Sequence, residues 1–171
     1  MPRLIPSLLA LTGTAAFAQF GLYPAIVKKK TRAIFQLVNE HRYEEVLTHV
    51  SPVIKHRFGG NHSLGGERNT AGALHAWFKR LGTVMPALKL TVNKVTVRGG
   101  PWNTDVFAEW TATATLVSGE SYHNRGVHVI NMQWGKVTSI DAHEDALAVS
   151  VALDKQYESG IKEAKAPKIE S

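Results

Sequence analysis

Tyr122–Glu144, YHNRGVHVINMQWGKVTSIDAHE, is two strands joined by one turn. Tyr122–Gln133 reads as the first strand, Trp134-Gly135 as the turn and Lys136–Glu144 as the returning strand. Upstream, Asp105–Val117 alternates, with Val106, Ala108, Trp110, Ala112 and Ala114 sharing one face. Ser118-Gly119-Glu120 links it to Tyr122 as a hairpin turn. Leu88–Arg98 alternates before that, and Gly99-Gly100-Pro101-Trp102-Asn103 turns the chain. Downstream, Asp145 is placed to cap a helix over Ala146–Glu163, followed by a polar, frayed tail.

The first part of the domain is helical. Thr31–Val50 reads as two short helices, with Ala33, Ile34, Leu37 and Val38 on one stripe and Tyr43, Val46, Leu47 and Val50 on the next. Asn39-Glu40-His41 is the turn between them, and Ser51-Pro52 stops the second. Val53–Phe58 is a short strand. Gly59–Gly66 holds four glycines and is a loop. Asn69 or Thr70 caps a helix reaching about Val84, with Leu74, Trp77, Phe78 and Leu81 inward and Pro86 beyond its end. Helices followed by hairpin-linked strands predict an α+β fold with a curved antiparallel sheet.

Composition narrows the class. The chain has 171 residues, 44% hydrophobic and 20% charged, a globular balance. With 0 Cys it has no disulfide, no thiolate nucleophile and no Cys-based zinc site. The net charge is +6. The cations cluster at Lys28-Lys29-Lys30 with Arg32 and in the tail at Lys162, Lys165 and Lys168. The sheet region is mixed in sign and lacks basic–aromatic interleaving, which argues against nucleic acid as a partner.

Leu4–Val27 carries no charged residue. Three readings are open. It is a single-pass membrane anchor stopped by Lys28-Lys29-Lys30, with the domain on the cytoplasmic side by the positive-inside rule. It is a signal peptide with Ala16-Phe17-Ala18 as cleavage site, which gives a secreted domain. Or it is a helix packed on the domain or a partner. The chain therefore divides into an apolar N-terminal helix over 1–30, a domain over 31–153 and a helical end with polar tail over 154–171.

The element order, Gly126-Val127-His128-Val129, Trp134-Gly135-Lys136-Val137 and the closing His143-Glu144-Asp145 together resemble the nuclear transport factor 2-like superfamily, most closely its SnoaL-type polyketide cyclase branch. The resemblance covers about Thr31–Leu153. It implies a cone: helices closed over a curved sheet around a largely apolar cavity. By matching strand positions it implies cavity contacts at Ile140, Ala142 and Glu144, at Gly126, His128 and Ile130, and at His56. The odd face of the middle strand would add Phe107, Glu109, Thr111 and Thr113, and Trp77 a helical wall.

The chain also departs from these relatives. SnoaL-type cyclases and limonene-epoxide hydrolases carry an essential carboxylate on the last strand, where Ala142 stands. The Arg-x-Asp pair of the epoxide hydrolases reads Glu109-Trp110-Thr111. The ketosteroid isomerase positions read His56, Ile34 and His128.

The chemistry left to expect, without a cofactor, is the proton transfer of an isomerase or cyclase, or hydrolysis by an activated water. His56 would be the base, Glu109 its orienter and His128 the donor to a developing oxyanion. Trp77, Phe107, Thr111, Ile130, Ile140, Ala142 and Glu144 would contact the ligand. No metal is expected, because His56, His62, His128 and His143 lack His-x-His or His-x-x-x-His spacing. Two functions follow. One is a membrane-tethered pocket for a small apolar or carbonyl-bearing ligand. The other is a non-catalytic accessory subunit on a larger membrane complex, with a homodimer through the outer sheet face open to either.

Overall fold

A computed structural model describes residues 11–171, with side chains from residue 21 onward. Arg3 and the first part of the Leu4–Val27 run lie outside the described residues.

Helix α1 spans Leu11–Asn39 without a break, with Pro24 inside it. The two short helices expected over Thr31–Val50 are thus the end of α1 and a separate five-residue α2, Tyr43–Leu47. The stripe Ile34, Leu37, Val38 continues backward through Thr31, Val27 and Tyr23, and no glycine or proline interrupts residues 25–38. The chain leaves the helix at His41, whose φ of 57° no helical residue adopts. Among the described residues no helix is long and apolar enough to cross a membrane. The lysines read as a stop signal lie inside α1, and Val27, Thr31 and Phe35 bury the same helix against the domain.

The strands are β1 (Val50–Phe58), β2 (Gly66–Arg68), β3 (Lys89–Gly100), β4 (Asn103–Thr115), β5 (Ser121–Gln133) and β6 (Lys136–Glu144). Helix α3, Ala71–Val84, is capped by Thr70, whose Oγ1 accepts from the Ala73 amide. Helix α4, Ala146–Glu158, is capped by Asp145, whose carboxylate accepts from the amides of Leu147 and Ala148. The single sheet has the order β2-β1-β6-β5-β4-β3. It is mixed rather than wholly antiparallel: β1 runs parallel to β6. A hairpin cannot make that pair, since β2 to β5 lie between its strands in sequence.

Register aligns the inner face in rows. His56 stands beside Ile140, Ile130 and Val106, and Phe58 beside Ala142, His128 and Ala108. In the next row Glu144 stands beside Gly126 and Trp110. α1 lies over β3, where Asn39 bonds both the amide and the carbonyl of Leu90. α3 lies over β1 and β2.

The C-terminal tail is docked rather than frayed. After α4 the chain makes a 3-10 turn, Lys162–Lys165, then runs back along the Gly-rich loop. Arg80 binds Glu163, the Ser63 carbonyl and the Pro167 carbonyl together. Ser171 donates its amide to Glu67, and its hydroxyl accepts from the Asn69 amide.

Candidate functional site

The cone encloses a cavity of about 110 Å³. Its walls are apolar: Phe35 from α1, Trp77 and Leu81 from α3, and Ile130, Ile140 and Trp110 from the sheet. Four ionisable side chains face it: the Tyr122 phenol and the three groups that titrate nearer neutrality, His56, His128 and Glu144. They come from β1, β5 and β6, neighbouring strands whose inward positions the register lines up.

Their surroundings disfavour charge. His56 is 3% exposed, and its ring meets Trp77 edge-on at 4.6 Å. Burial, then the Arg68 guanidinium, then His128 hold its pKa well below the ordinary 6.5. His128 is wedged between Phe35 and Trp110, with ring centroids 5.3 and 5.4 Å away. Burial lowers its pKa to about 4, with His143 adding to the effect. Both imidazoles are therefore neutral at pH 7.

Glu144 moves the other way. Burial pushes its carboxyl up to about 7; the Gly59 amide opposes the shift and Asp141 adds to it. The Gly59 amide falls short of full hydrogen-bond geometry, and neither Glu144 oxygen has a hydrogen-bond partner. His56 Nδ1 and Trp110 Nε1 are likewise unpartnered. Buried polar atoms are nearly always paired, and leaving one unpaired costs about 1–3 kcal/mol. Several such atoms give one apolar space a polar end.

Gly126 makes room for this end. A Cβ there would lie 2.7 Å from Trp110 Cζ2 and 2.3 Å from the His143 carbonyl oxygen. The missing side chain lets the indole lie against β5 beside Glu144.

Four expected contacts lie elsewhere. Phe107, Glu109, Thr111 and Thr113 are on the outer face of β4 and are exposed. The inward residues are the other set, Val106, Ala108, Trp110 and Ala112. Burial of apolar surface decides which face turns in, and the odd face is too polar to compete. Glu109 therefore cannot orient His56. It pairs across the strand with Lys94 at 3.2 Å. Ala142 faces inward but is buried in the sheet between Phe58 and His128, behind the cavity wall. Trp77, Ile130 and Ile140 line the cavity.

Three of the other histidines have local partners. His75 bonds Glu44 at 3.0 Å, His143 pairs with Asp141 at 3.0 Å, and His41 stacks on Tyr43. His62 packs on Phe58, with both ring nitrogens buried and without a hydrogen-bond partner.

Arg68 was not foreseen. It is fully buried, lies over the Trp77 ring at 5.6 Å and donates to the carbonyls of Leu64, Gly65 and Gly66. It is the cross-strand partner of His56, so its charge helps keep that imidazole neutral. Burial lowers its own pKa to about 10, against the pull of Glu170 and Glu67. β2 is too short to show an alternation that would have marked Arg68 as inward.

Residues 31–140 match the family model of the SnoaL-like domain. Solved structures share the fold at low identity. PrhC from Penicillium brasilianum is 11% identical over 81% of this chain and 93% of its own, with a TM-score of 0.68. TerC, co-crystallised with polyporic acid, is 20% identical over 76% and 96%, with a TM-score of 0.60. A putative SnoaL-like polyketide cyclase from Jannaschia is 21% identical over 73% and 91%, with a TM-score of 0.55. No curated protein matches the chain. With the helix-covered sheet and its cavity on the same residues that the family model matches, the chain belongs to the SnoaL-like domain family.

Proposed function

We propose that the cavity binds a small, mostly apolar molecule bearing a carbonyl and moves a proton on it without a cofactor. The observation that carries this reading is Glu144, a carboxyl with both oxygens unpaired at the edge of an apolar cavity, its pKa raised to about 7. Such a group takes and returns a proton near neutrality. As carboxylate it removes a proton from the carbon beside the carbonyl. The electron pair passes to the carbonyl oxygen as an enolate. The unpaired Trp110 Nε1–H, with the neutral His128 beside it, supplies a donor for that oxygen. Where the carbonyl compound is β,γ-unsaturated the enolate is a dienolate, and return of the proton from Glu144 to its γ-carbon completes an isomerisation to the conjugated ketone. Attack of the enolate carbon on a second carbonyl would instead close a ring.

Two neighbours bear on the ligand class: a putative polyketide cyclase and a protein crystallised with polyporic acid. Size narrows it further. A dry cavity of about 150 Å³ holds benzene, and drug-sized ligands need about 300–1,000 Å³. At about 110 Å³ the cavity suits a ligand of about one ring.

The test is deuterium exchange from solvent into the α-carbon of one-ring ketones such as cyclohexanone, followed by NMR. The wild type should catalyse exchange, Glu144→Gln should lose it, and Glu109→Gln should keep it. Exchange that survives Glu144→Gln contradicts the proposal.

A further inference from the structure

The second unexplained feature lies away from the cavity, at the end of the sheet formed by the β3–β4 and β5–β6 turns. Each turn carries a tryptophan, Trp102 at 65% exposed and Trp134 at 75%. The turns touch, since the Trp134 amide donates to the Pro101 carbonyl. Trp134 also sits at φ 49°, followed by Gly135 at φ 78°. Asn or Gly suits that place in a two-residue hairpin. A bulky side chain held there with its ring in water contributes nothing to the fold.

α1 passes the same end. Tyr23 bonds Thr104 Oγ1 at 2.5 Å, and Lys30 Nζ donates to the Gly135 carbonyl at 2.7 Å. Between these contacts an outward stripe of Leu22, Ile26 and Lys29 runs at helical spacing, with Leu22 and Ile26 both more than half exposed. Lys28, Lys29 and Lys30 lie on this stretch of α1 and Lys136 directly follows the β5–β6 turn, and among the described residues none pairs with a carboxylate. The one acid on these turns' strands near Trp102, Asp105, accepts from Asn131 and faces Arg98 across β3.

We propose that this end of the domain docks on the surface of an anionic lipid bilayer, with Trp102 and Trp134 at headgroup depth and the lysines on the phosphates. Tryptophan prefers that interface because its ring is apolar and its N–H is polar. Lysines without a carboxylate partner supply the electrostatic part, Lys28 and Lys29 foremost, since Lys30 and Lys136 also donate to backbone carbonyls. Leu22 and Ile26 extend the apolar contact along α1 as an interfacial rather than a spanning element. A second copy of the chain is a poorer occupant: two-fold pairing through this end brings the two lysine clusters together.

The test is flotation of the full chain with phosphatidylcholine vesicles, with and without phosphatidylserine. Binding should require phosphatidylserine and weaken with salt. Trp102→Ser/Trp134→Ser and Lys28→Glu/Lys29→Glu should each bind about ten-fold or more weakly, with circular dichroism and thermal midpoint unchanged. Brominated lipids should quench the wild-type tryptophan emission and leave the double tryptophan variant unquenched. Equal binding to neutral vesicles, undiminished binding by the tryptophan variant, or a lipid-free self-association that buries the tryptophans overturns the proposal.

Discussion

The two faces of the sheet carry the same kinds of ionisable residue and treat them in opposite ways. On the outer face Glu109 pairs with Lys94, and Asp141 pairs through Oδ2 with Arg57 and His143, its Oδ1 being buried without a partner. On the inner face Glu144, His56 and His128 stand in an apolar cavity, with both Glu144 oxygens and His56 Nδ1 left unpaired. Outer pairs in water contribute little, about 0–1 kcal/mol each. Inner groups left unpaired reduce stability, by about 1–3 kcal/mol for each buried polar atom.

The largest way to break this contrast is on β4. Trp110→Ala removes a 5%-exposed indole and should cost about 3–5 kcal/mol in urea unfolding. Phe107→Ala, on the same strand but 38% exposed, should cost about 1 kcal/mol or less. Equal costs would mean that the faces are misassigned. Gly126→Ala comes next. Its methyl would strike Trp110 and the His143 carbonyl, and overpacking of this kind costs about 1–3 kcal/mol.

Glu144→Gln gives a smaller effect with a pH signature. A folded pKa of about 7, above the ordinary 4.5, means that the folded chain holds this proton more tightly than the unfolded one. That contribution is complete below about pH 4.5 and is lost as pH rises through about 7. Thermal midpoints should therefore move in favour of Glu144→Gln over the wild type between pH 5 and 8. The opposite trend of His128, whose folded pKa of about 4 lies below 6.5, is common to both proteins and cancels. Smallest of all, Glu109→Gln should change stability by about 0.5 kcal/mol or less and leave the exchange reaction intact.

Much of this was legible in the chain. The family resemblance put His56, His128 and Glu144 at the cavity, and Asp145 announced its cap. The error at Phe107, Glu109 and Thr111 came from expecting polar residues inside because the family's cavities carry them. The run Val106, Ala108, Trp110, Ala112 was the better signal, since burial follows apolar surface. Other features depend on contacts distant in sequence. Arg68 is buried by a loop and held by its carbonyls. The tail reads as polar and frayed, yet Arg80 and Asn69 tie it down. The β1–β6 parallel pair joins strands from the two ends of the domain, and no local pattern announces it.

The most direct test of the account is the titration of the Glu144 carboxyl carbon by NMR, assigned with Glu144→Gln. The account predicts a midpoint near 7 in the free protein. A midpoint near the ordinary 4.5 would show a solvated or paired carboxylate and would contradict the central claim.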